Sequence, residues 1–194
     1  MRPRRTLQTQ LLHRSSRWVV LIVVSSLLFG CQTPYERRDP TGEVFPSVTG
    51  TSLDGETVSL PESLEGEPAL LLIGFVQDSQ FDLDRWALGL WQSGSALRAI
   101  EVPTIPGLVP RVISEQIDNG MRSGIPSEDW ASVITVYRDA EAIVRFTGNE
   151  EPRPGRILLL DATSKVRYFH DRGYSTGALA RLLETFGQME GEQR

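Results

Sequence analysis

The apolar positions of this chain form runs that predict strands alternating with helices after about residue 45. An unbroken apolar run at 69–76, with turn-forming residues on either side, has the length of a strand buried on both faces of a sheet. Apolar side chains then recur at roughly helical spacing over 80–95, and Asp78 and Ser79 are candidate caps for that helix. The apolar positions of 97–105, closed by two prolines, predict a second strand.

The remaining patterns complete the order of elements. Asp54-Gly55, between segments rich in strand-forming residues, predicts a hairpin, and a three-residue turn later in the chain predicts a second one. The predicted elements are hairpin strands at 47–53 and 56–60, helices at 110–122, 126–133 and 139–146, a strand or helix end at 134–137, hairpin strands at 156–161 and 165–170, and an amphipathic helix at 176–189. This order predicts an α/β fold, a mixed sheet covered by helices on both faces.

The first thirty residues have the pattern of an export signal. Residues 1–17 contain five arginines and no acid, and an apolar run follows at 18–29. That run suits a signal peptide and is too short to span a bilayer. It leads into Gly30 and Cys31 in a sequence that resembles a bacterial lipobox, which predicts cleavage between these two residues and lipid attachment at Cys31. The alternatives are an uncleaved, tilted anchor helix and a buried thiol.

These features divide the chain into a signal peptide at 1–30, a flexible tether at 31–44 and a folded domain at 45–190. The predicted location is the membrane of the cell envelope, with the domain facing the periplasm or the exterior. Gln32 stands where a signal for retention in the inner membrane has Asp, which favours the outer membrane in a cell that has one. An arginine pair near the start resembles a twin-arginine signal, so the export route stays open.

Charge limits the partners of the exported part. The formal net charge is −5 at pH 7, although the predicted signal contributes five arginines and no acid. The part that follows the signal is therefore more acidic than the whole chain. An acidic surface repels polyanions, so we expect no nucleic-acid partner and no attraction to anionic headgroups. The membrane, reached through the lipid on Cys31, is the expected partner.

The last predicted hairpin resembles that of a known group of proteins. Leu-Leu-Leu-Asp at 158–161, then Val-Arg-Tyr at 166–168 and Gly173, resembles the end of TlpA-type thioredoxins. The opening segment at 53–60 is shared with them as well. This resemblance implies a thioredoxin-like fold with an N-terminal hairpin and an insert before the last hairpin.

A second resemblance is to the ATP10 family, thioredoxin-like factors that assist assembly of the ATP synthase membrane sector. It rests on the apolar strand at 70–75, on Trp86 in the following helix, on Met-Arg-Ser-Gly-Ile-Pro at 121–126 and on the last hairpin. Together these positions extend over about 45–187. The resemblance implies chaperone-like binding of a membrane-protein client.

Cysteine usage bears on the chemistry. Cys31 is the only cysteine, and thioredoxin chemistry needs a thiolate at the start of a helix. The loop at 77–80 has none, so we expect no disulfide exchange, no cofactor and no metal, and predict that the domain is not an enzyme. The alternative is a carboxylate- or metal-dependent envelope enzyme using Asp78, Asp82 and Asp84. Acids in the first turn of a helix are, however, also favoured by the helix dipole alone.

The predicted function is therefore non-catalytic: a membrane-anchored factor that binds a client, such as a membrane complex of the ATP synthase kind, during assembly. We expect an apolar groove around 76–80 and 152–156. Gln77, Asp78, Trp86 and Pro154 are the candidate residues of this partner surface. No catalytic or metal-binding residue is assigned.

Overall fold

A computed structural model describes residues 35–192 of the 194-residue chain. Its central element is a four-stranded sheet in the order β4-β3-β6-β7. The strands are β3 (Ala69–Gly74), β4 (Arg98–Pro103), β6 (Arg156–Leu160) and β7 (Val166–His170). β3 and β4 are parallel, whereas β6 is antiparallel to β3 and β7 is antiparallel to β6. The predicted mixed sheet is confirmed.

A smaller sheet lies beside β4. It has the order β2-β1-β5, with β1 (Val48–Ser52), β2 (Thr57–Leu60) and β5 (Ile134–Thr135). β1 and β2 form the predicted N-terminal hairpin around Asp54-Gly55. The ambiguous segment at 134–137 is a strand at its start, and bridges from Val133 and Val136 connect it to the edge of β4.

Helices cover both faces of the main sheet, as the order of elements predicts. The helices are α1 (Gln80–Ser93), α2 (Leu108–Val112), α3 (Ser114–Arg122), α4 (Ala140–Thr147) and α5 (Thr176–Glu192). One face packs against the hairpin and α4 through a cluster that includes Leu71, Ile73 and Ile143. The other packs against α1 and α5 through Leu70, Leu72 and neighbouring apolar side chains. β3 is buried along its whole length because alternate side chains enter the two clusters.

The insert between β4 and β5 differs from its prediction. A single helix was expected at 110–122, but α2 and α3 are separated at Ile113, whose φ of −110° is not helical. Pro110 lies within the first turn of α2, where a missing backbone N–H removes no helical hydrogen bond. The predicted helix at 126–133 is a 3₁₀ segment, Ser127–Ser132.

Residues 35–44 lie along the domain, in contrast to the flexible tether predicted for them. We call this segment the N-terminal strap. At its start Tyr35 exchanges two hydrogen bonds with Asn149, of 2.6 and 3.1 Å. At its other end Gly42 and Glu43 bond to the backbone of Val166, both at 2.8 Å. The strap thus behaves as part of the fold, because its backbone groups are paired with the domain.

No helix within residues 35–192 combines the length and the apolar character needed to cross a membrane. The predicted signal peptide, Gly30 and Cys31 lie outside the described residues.

Candidate functional site

The candidate site is the end of the main sheet at which β3 and β4 finish and β6 begins. We call it the loop end and define it by residues 74–79, 103–107, 148–155 and 171–175. β6 is antiparallel to both of its neighbours, β3 and β7. The start of β6 and the end of β7 therefore lie beside the end of β3, and the loops attached to them meet here. Sheets of this kind bind ligands beyond the carboxyl ends of their parallel strands.

A buried serine joins two of these loops. The 3₁₀ turn Gln77–Ser79 precedes α1, and the hydroxyl of Ser79, 1% exposed, donates to the carbonyl of Pro152 at 3.1 Å. On the outer side of the same junction, Asp78 faces Arg153. Oδ2 of Asp78 lies 3.6 Å from Nε of Arg153, and both side chains are exposed. The two segments singled out in the sequence, around 77–80 and 152–156, are therefore brought together.

Three of the four predicted partner residues lie at this junction. Gln77 and Asp78 are exposed, and Pro154 is half-buried. The carbonyl of Pro154 accepts a hydrogen bond from Arg156 at 2.7 Å. The peptide bond before Pro154 is trans, whereas the cis peptide bond within residues 35–192 is the one between Leu60 and Pro61.

Trp86 was predicted as a partner residue, and that prediction is wrong. Its side chain is 0% exposed and lies between α1 and the sheet. The ring packs against those of His170 and Tyr174, with centroids 5.6 and 5.4 Å away. A fully buried ring cannot touch a partner, so its role is in the core.

Asp82 is the loop end's central hydrogen-bond acceptor. Its Oδ2 accepts from the backbone N–H of Gly155 at 2.9 Å, and its Oδ1 accepts from that of Tyr174 at 2.6 Å. One carboxylate thus ties the start of α1 to the loop before β6 and to the loop before α5. A Cβ at Gly155 would overlap Cδ2 of Leu83, so any larger residue there would force the buried Leu83 side chain to shift.

The three aspartates proposed as an alternative catalytic or metal-binding cluster make separate contacts. Asp78 faces Arg153, Asp82 bonds to backbone, and Asp84 accepts from the side-chain amide of Gln80 at 2.8 Å. Within residues 35–192 no three His, Cys, Asp or Glu side chains are grouped so that they could hold a metal ion.

Sequence analysis did not single out Arg156, because it occupies the first position of a predicted apolar strand and has no motif around it. Its side chain is buried, and it donates to the carbonyl of Gly148 at 3.1 and 3.3 Å as well as to Pro154. Its guanidinium carbon lies 5.1 Å from the centroid of the Phe75 ring. Burial lowers the pKa of Arg156, partly offset by the charge of Asp171. The residue holds the 148–155 loop in place.

Asp171 fixes the start of the N-terminal strap at the loop end. Its carboxylate, 6% exposed, forms a two-pronged ion pair with Arg37, with distances of 2.5 and 2.6 Å. Burial raises the pKa of Asp171. The hydrogen bond and charge of Arg37, together with the charges of Arg156 and Arg172, lower it by more, so the net shift is downward. At neutral pH the pair is therefore fully charged.

Glu101 is a second group that sequence analysis did not single out. It lies on β4, and its side chain interacts with Gln80 and Asp84 of α1. Burial, aided by the negative charge of Asp84, raises its pKa to about 7, while a hydrogen bond from Gln80 acts in the opposite direction. Glu101 therefore changes its charge close to neutral pH.

Apart from Val44 and Val76, the exposed large apolar side chains of residues 35–192 lie in two places. The outer face of α1 presents Phe81, Leu88 and Trp91, the last of them 79% exposed. Phe81 and Leu88 are seven residues apart, two helical turns, so they lie in one row. The second place is the insert, where Leu108, Val109, Val112 and Ile113 project from the loop after β4. We call the first the α1 face and the second the apolar segment (residues 108–113).

No protein-family model and no curated protein matches the sequence. Solved structures do match. BsSco, a member of the Sco family of cytochrome c oxidase assembly proteins, is 18% identical with a TM-score of 0.55, and the match covers 79% of this chain and 98% of that one. Yeast Sco1 with copper bound is 12% identical with a TM-score of 0.55, covering 77% and 94%. The thiol peroxidase from Chromobacterium violaceum is 19% identical with a TM-score of 0.51, covering 82% and 95%.

At these identities the similarity establishes the fold, which is thioredoxin-like as the last hairpin and the order of elements predicted. It also corrects one prediction. We expected from the missing cysteines that the domain is not an enzyme, and the neighbours contradict that inference because the thiol peroxidase, an enzyme, is built on the same fold. The absence of a cysteine pair therefore does not decide whether the domain is catalytic.

Proposed function

We propose that this chain is a lipid-anchored, thioredoxin-fold assembly factor that holds a membrane-protein client through the α1 face. The observation that carries the proposal is the outward row of Phe81, Leu88 and Trp91 on a helix whose opposite side is packed in the core. Exposed apolar patches of this kind are typical of surfaces that bind another protein. Aromatic side chains supply much of the energy of such interfaces.

The position of this face suits a client that is bound beside the loop end. Phe81 lies in the first turn of α1, next to the 3₁₀ turn that holds Gln77 and Asp78. Val76, at the end of β3, is partly exposed in the same loop. The face therefore continues from the helix onto the partner surface predicted from the sequence, with Asp78 and Arg153 as a polar rim.

Two similarities support assembly as the process. BsSco belongs to a family of cytochrome c oxidase assembly proteins and has the same fold. The sequence resemblance to the ATP10 family, through the strand at 70–75 and the segment at 121–126, makes the membrane sector of ATP synthase the first client to test.

Photo-crosslinking in membranes tests the proposal. A photoreactive amino acid at Leu88 is expected to give an adduct with a membrane-embedded protein, and a subunit of the ATP synthase membrane sector is the first candidate. Gln188, exposed on α5, is the matched control position. Identical adducts at both positions, or none at Leu88, would contradict the proposal.

The anchor is tested separately. A fatty-acid probe is expected to label the chain at Cys31, and the Cys31→Ser variant is expected to lose the label and to leave the membrane fraction. Labelling that is unchanged in the variant would reject the lipid anchor while leaving client binding by the α1 face open.

A further inference from the structure

The geometry points to a second contact with the membrane: the loop end faces the bilayer, and the apolar segment at 108–113 inserts into the lipid interface. This inference rests on the proposed lipid at Cys31 and adds an orientation and a lipid-binding surface to it.

The chain enters the domain at the loop end. Tyr35 is bonded to Asn149, and Arg37 is paired with Asp171, so the start of the strap is fixed at the loop end. A side chain at Gly148 would overlap the backbone of Glu36, which shows how closely the strap lies on this loop. The strap then runs to the turn between β6 and β7, at the opposite end of the sheet.

The chain between the lipid and the domain is short. Only four peptide steps separate Cys31 from Tyr35. Even a fully extended chain spans at most about 14 Å over that distance. A lipid on Cys31 therefore keeps the loop end close to the headgroups, whatever the conformation of the intervening residues. With the loop end facing the bilayer, as proposed, the opposite end of the sheet lies farther from the membrane by up to the length of the strands.

The composition of the apolar segment suits a lipid environment. Leu108, Val109, Val112 and Ile113 are all exposed, with Val112 at 83%. No acidic residue occurs between Thr104 and Ser114, although the mature chain as a whole is acidic. Apolar side chains on a short helix bind the boundary between headgroups and acyl chains, where burying them is favourable.

The one charged side chain of the segment turns back onto the domain. The guanidinium of Arg111 donates to the carbonyls of Tyr137 and Arg138, at 3.4 and 2.9 Å. The outer side of the segment is therefore apolar. Because the segment follows β4 directly, it lies at the end of the sheet that the anchor holds to the membrane. Lipid is thus the occupant that both the charge and the tether favour.

The test uses the lipidated full chain in vesicles of phosphatidylcholine, with an environment-sensitive fluorophore on an introduced cysteine. The label at Val112→Cys is expected to shift to the blue and to be quenched several-fold more strongly by brominated lipid than the label at Glu67→Cys. Glu67 is exposed just before β3, at the opposite end of the sheet. Leu108→Cys, a second position in the segment, is expected to behave as Val112→Cys does.

The outcomes separate the inference from the function on which it rests. Anchored protein with equal, weak quenching at Val112 and Glu67 would overturn the orientation and leave the lipid anchor intact. Protein that does not associate with the vesicles at all would overturn the anchor and the orientation together. Shielding of Val112 in native membranes but not in pure lipid would show that a protein covers the segment, and would overturn lipid insertion.

Discussion

At the scale of single residues, the loop end depends on one carboxylate. Asp82 accepts two backbone N–H groups that come from loops 73 and 92 residues away along the chain. Removing it leaves both donors without a partner in a half-buried place. An unsatisfied donor of that kind costs about 1–3 kcal/mol.

We therefore expect Asp82→Ala to lower the free energy of unfolding by about 2–4 kcal/mol. Asp78→Ala is the control: it removes only an exposed ion pair and should cost less than about 1 kcal/mol. Urea denaturation of both variants measures the difference. Equal effects of the two substitutions would mean that the bonds of Asp82 do not hold the loops together.

Glu101 gives the stability a dependence on pH near neutrality. Its pKa of about 7 in the fold lies above the ordinary value of 4.5 for the unfolded chain. The fold therefore binds the proton more tightly than the unfolded chain does. This contribution to stability is fully present below pH 4.5 and is lost as the pH rises through about 7.

Glu101→Gln removes that titration, because the amide stays neutral. Its free energy of unfolding, compared with that of the unmodified chain, should be higher at pH 8 and no higher at pH 4. Thermal denaturation at the two pH values measures this. A difference between variant and parent that does not change with pH would contradict a raised pKa for Glu101.

At the scale of elements, α1 presents different sides to the core and to solvent. Trp86 and Trp91 are five residues apart, so they point to different sides of the helix. Trp86 is fully buried beside His170 and Tyr174, whereas Trp91 is exposed.

Trp86→Ala should lower the free energy of unfolding by about 3–5 kcal/mol because it opens a cavity in the core. Trp91→Ala should change it by less than about 0.5 kcal/mol and instead weaken client crosslinking at Leu88. Denaturation and crosslinking of the same two variants check both statements. Strong destabilisation by Trp91→Ala would contradict its assignment to the partner surface.

The N-terminal strap is held by a pair that responds to acid. The pKa of Asp171 is lowered in the fold, so its contribution is present above its ordinary pKa of 3.8 and is lost as the pH falls below it. We expect the amide of Asn149, which bonds to Tyr35, to lose protection from hydrogen exchange as the pH is lowered.

Arg37→Ala should remove that protection at neutral pH as well, because Asp171 then loses its partner. Asp39→Ala is the control, since the Asp39 carboxylate accepts hydrogen bonds from Thr41 inside the strap. Hydrogen-exchange rates of the Asn149 amide in both variants distinguish them. Similar rates in the two would show that the Asp171 pair does not secure the strap.

At the scale of the whole molecule, the hairpin is joined to the rest of the fold through β5. Gly50 of β1 lies so close to that strand that an added Cβ would be 2.5 Å from Cγ2 of Ile134 and 3.0 Å from the carbonyl of Thr135. This seam between β1 and β5 leaves no room for a side chain, and it joins the hairpin to β5, which is in turn bridged to the edge of β4.

Gly50→Ala should lower the free energy of unfolding by about 1–3 kcal/mol because one strand must move away. Gly120→Ala is the matched control: nothing lies within 4 Å of its added Cβ in α3, and alanine favours a helix by about 1 kcal/mol. Thermal unfolding of both variants measures the contrast. Destabilisation by both would contradict a local effect of the seam.

The sequence by itself determined the fold class, the buried central strand, both hairpins and the order of the elements outside the insert. These follow from local patterns, because the spacing of apolar side chains and the residues of a turn act over a few positions. Its single cysteine also excluded a thiol pair in the loop at 77–80. It did not decide whether the domain is an enzyme, since a fold can support more than one chemistry.

Only the tertiary structure decided which residues meet at the loop end. The sequence assigned Trp86 to the partner surface although its ring is buried, and it gave no sign of the backbone contacts of Asp82, of the role of Arg156 or of the contacts of the strap. Six large apolar side chains in α1 leave the buried side of that helix ambiguous until the sheet and α5 pack against it. The hydrogen bond between Asp82 and the backbone of Tyr174 joins groups 92 residues apart. It depends on the tertiary packing of the whole domain, which no local pattern encodes.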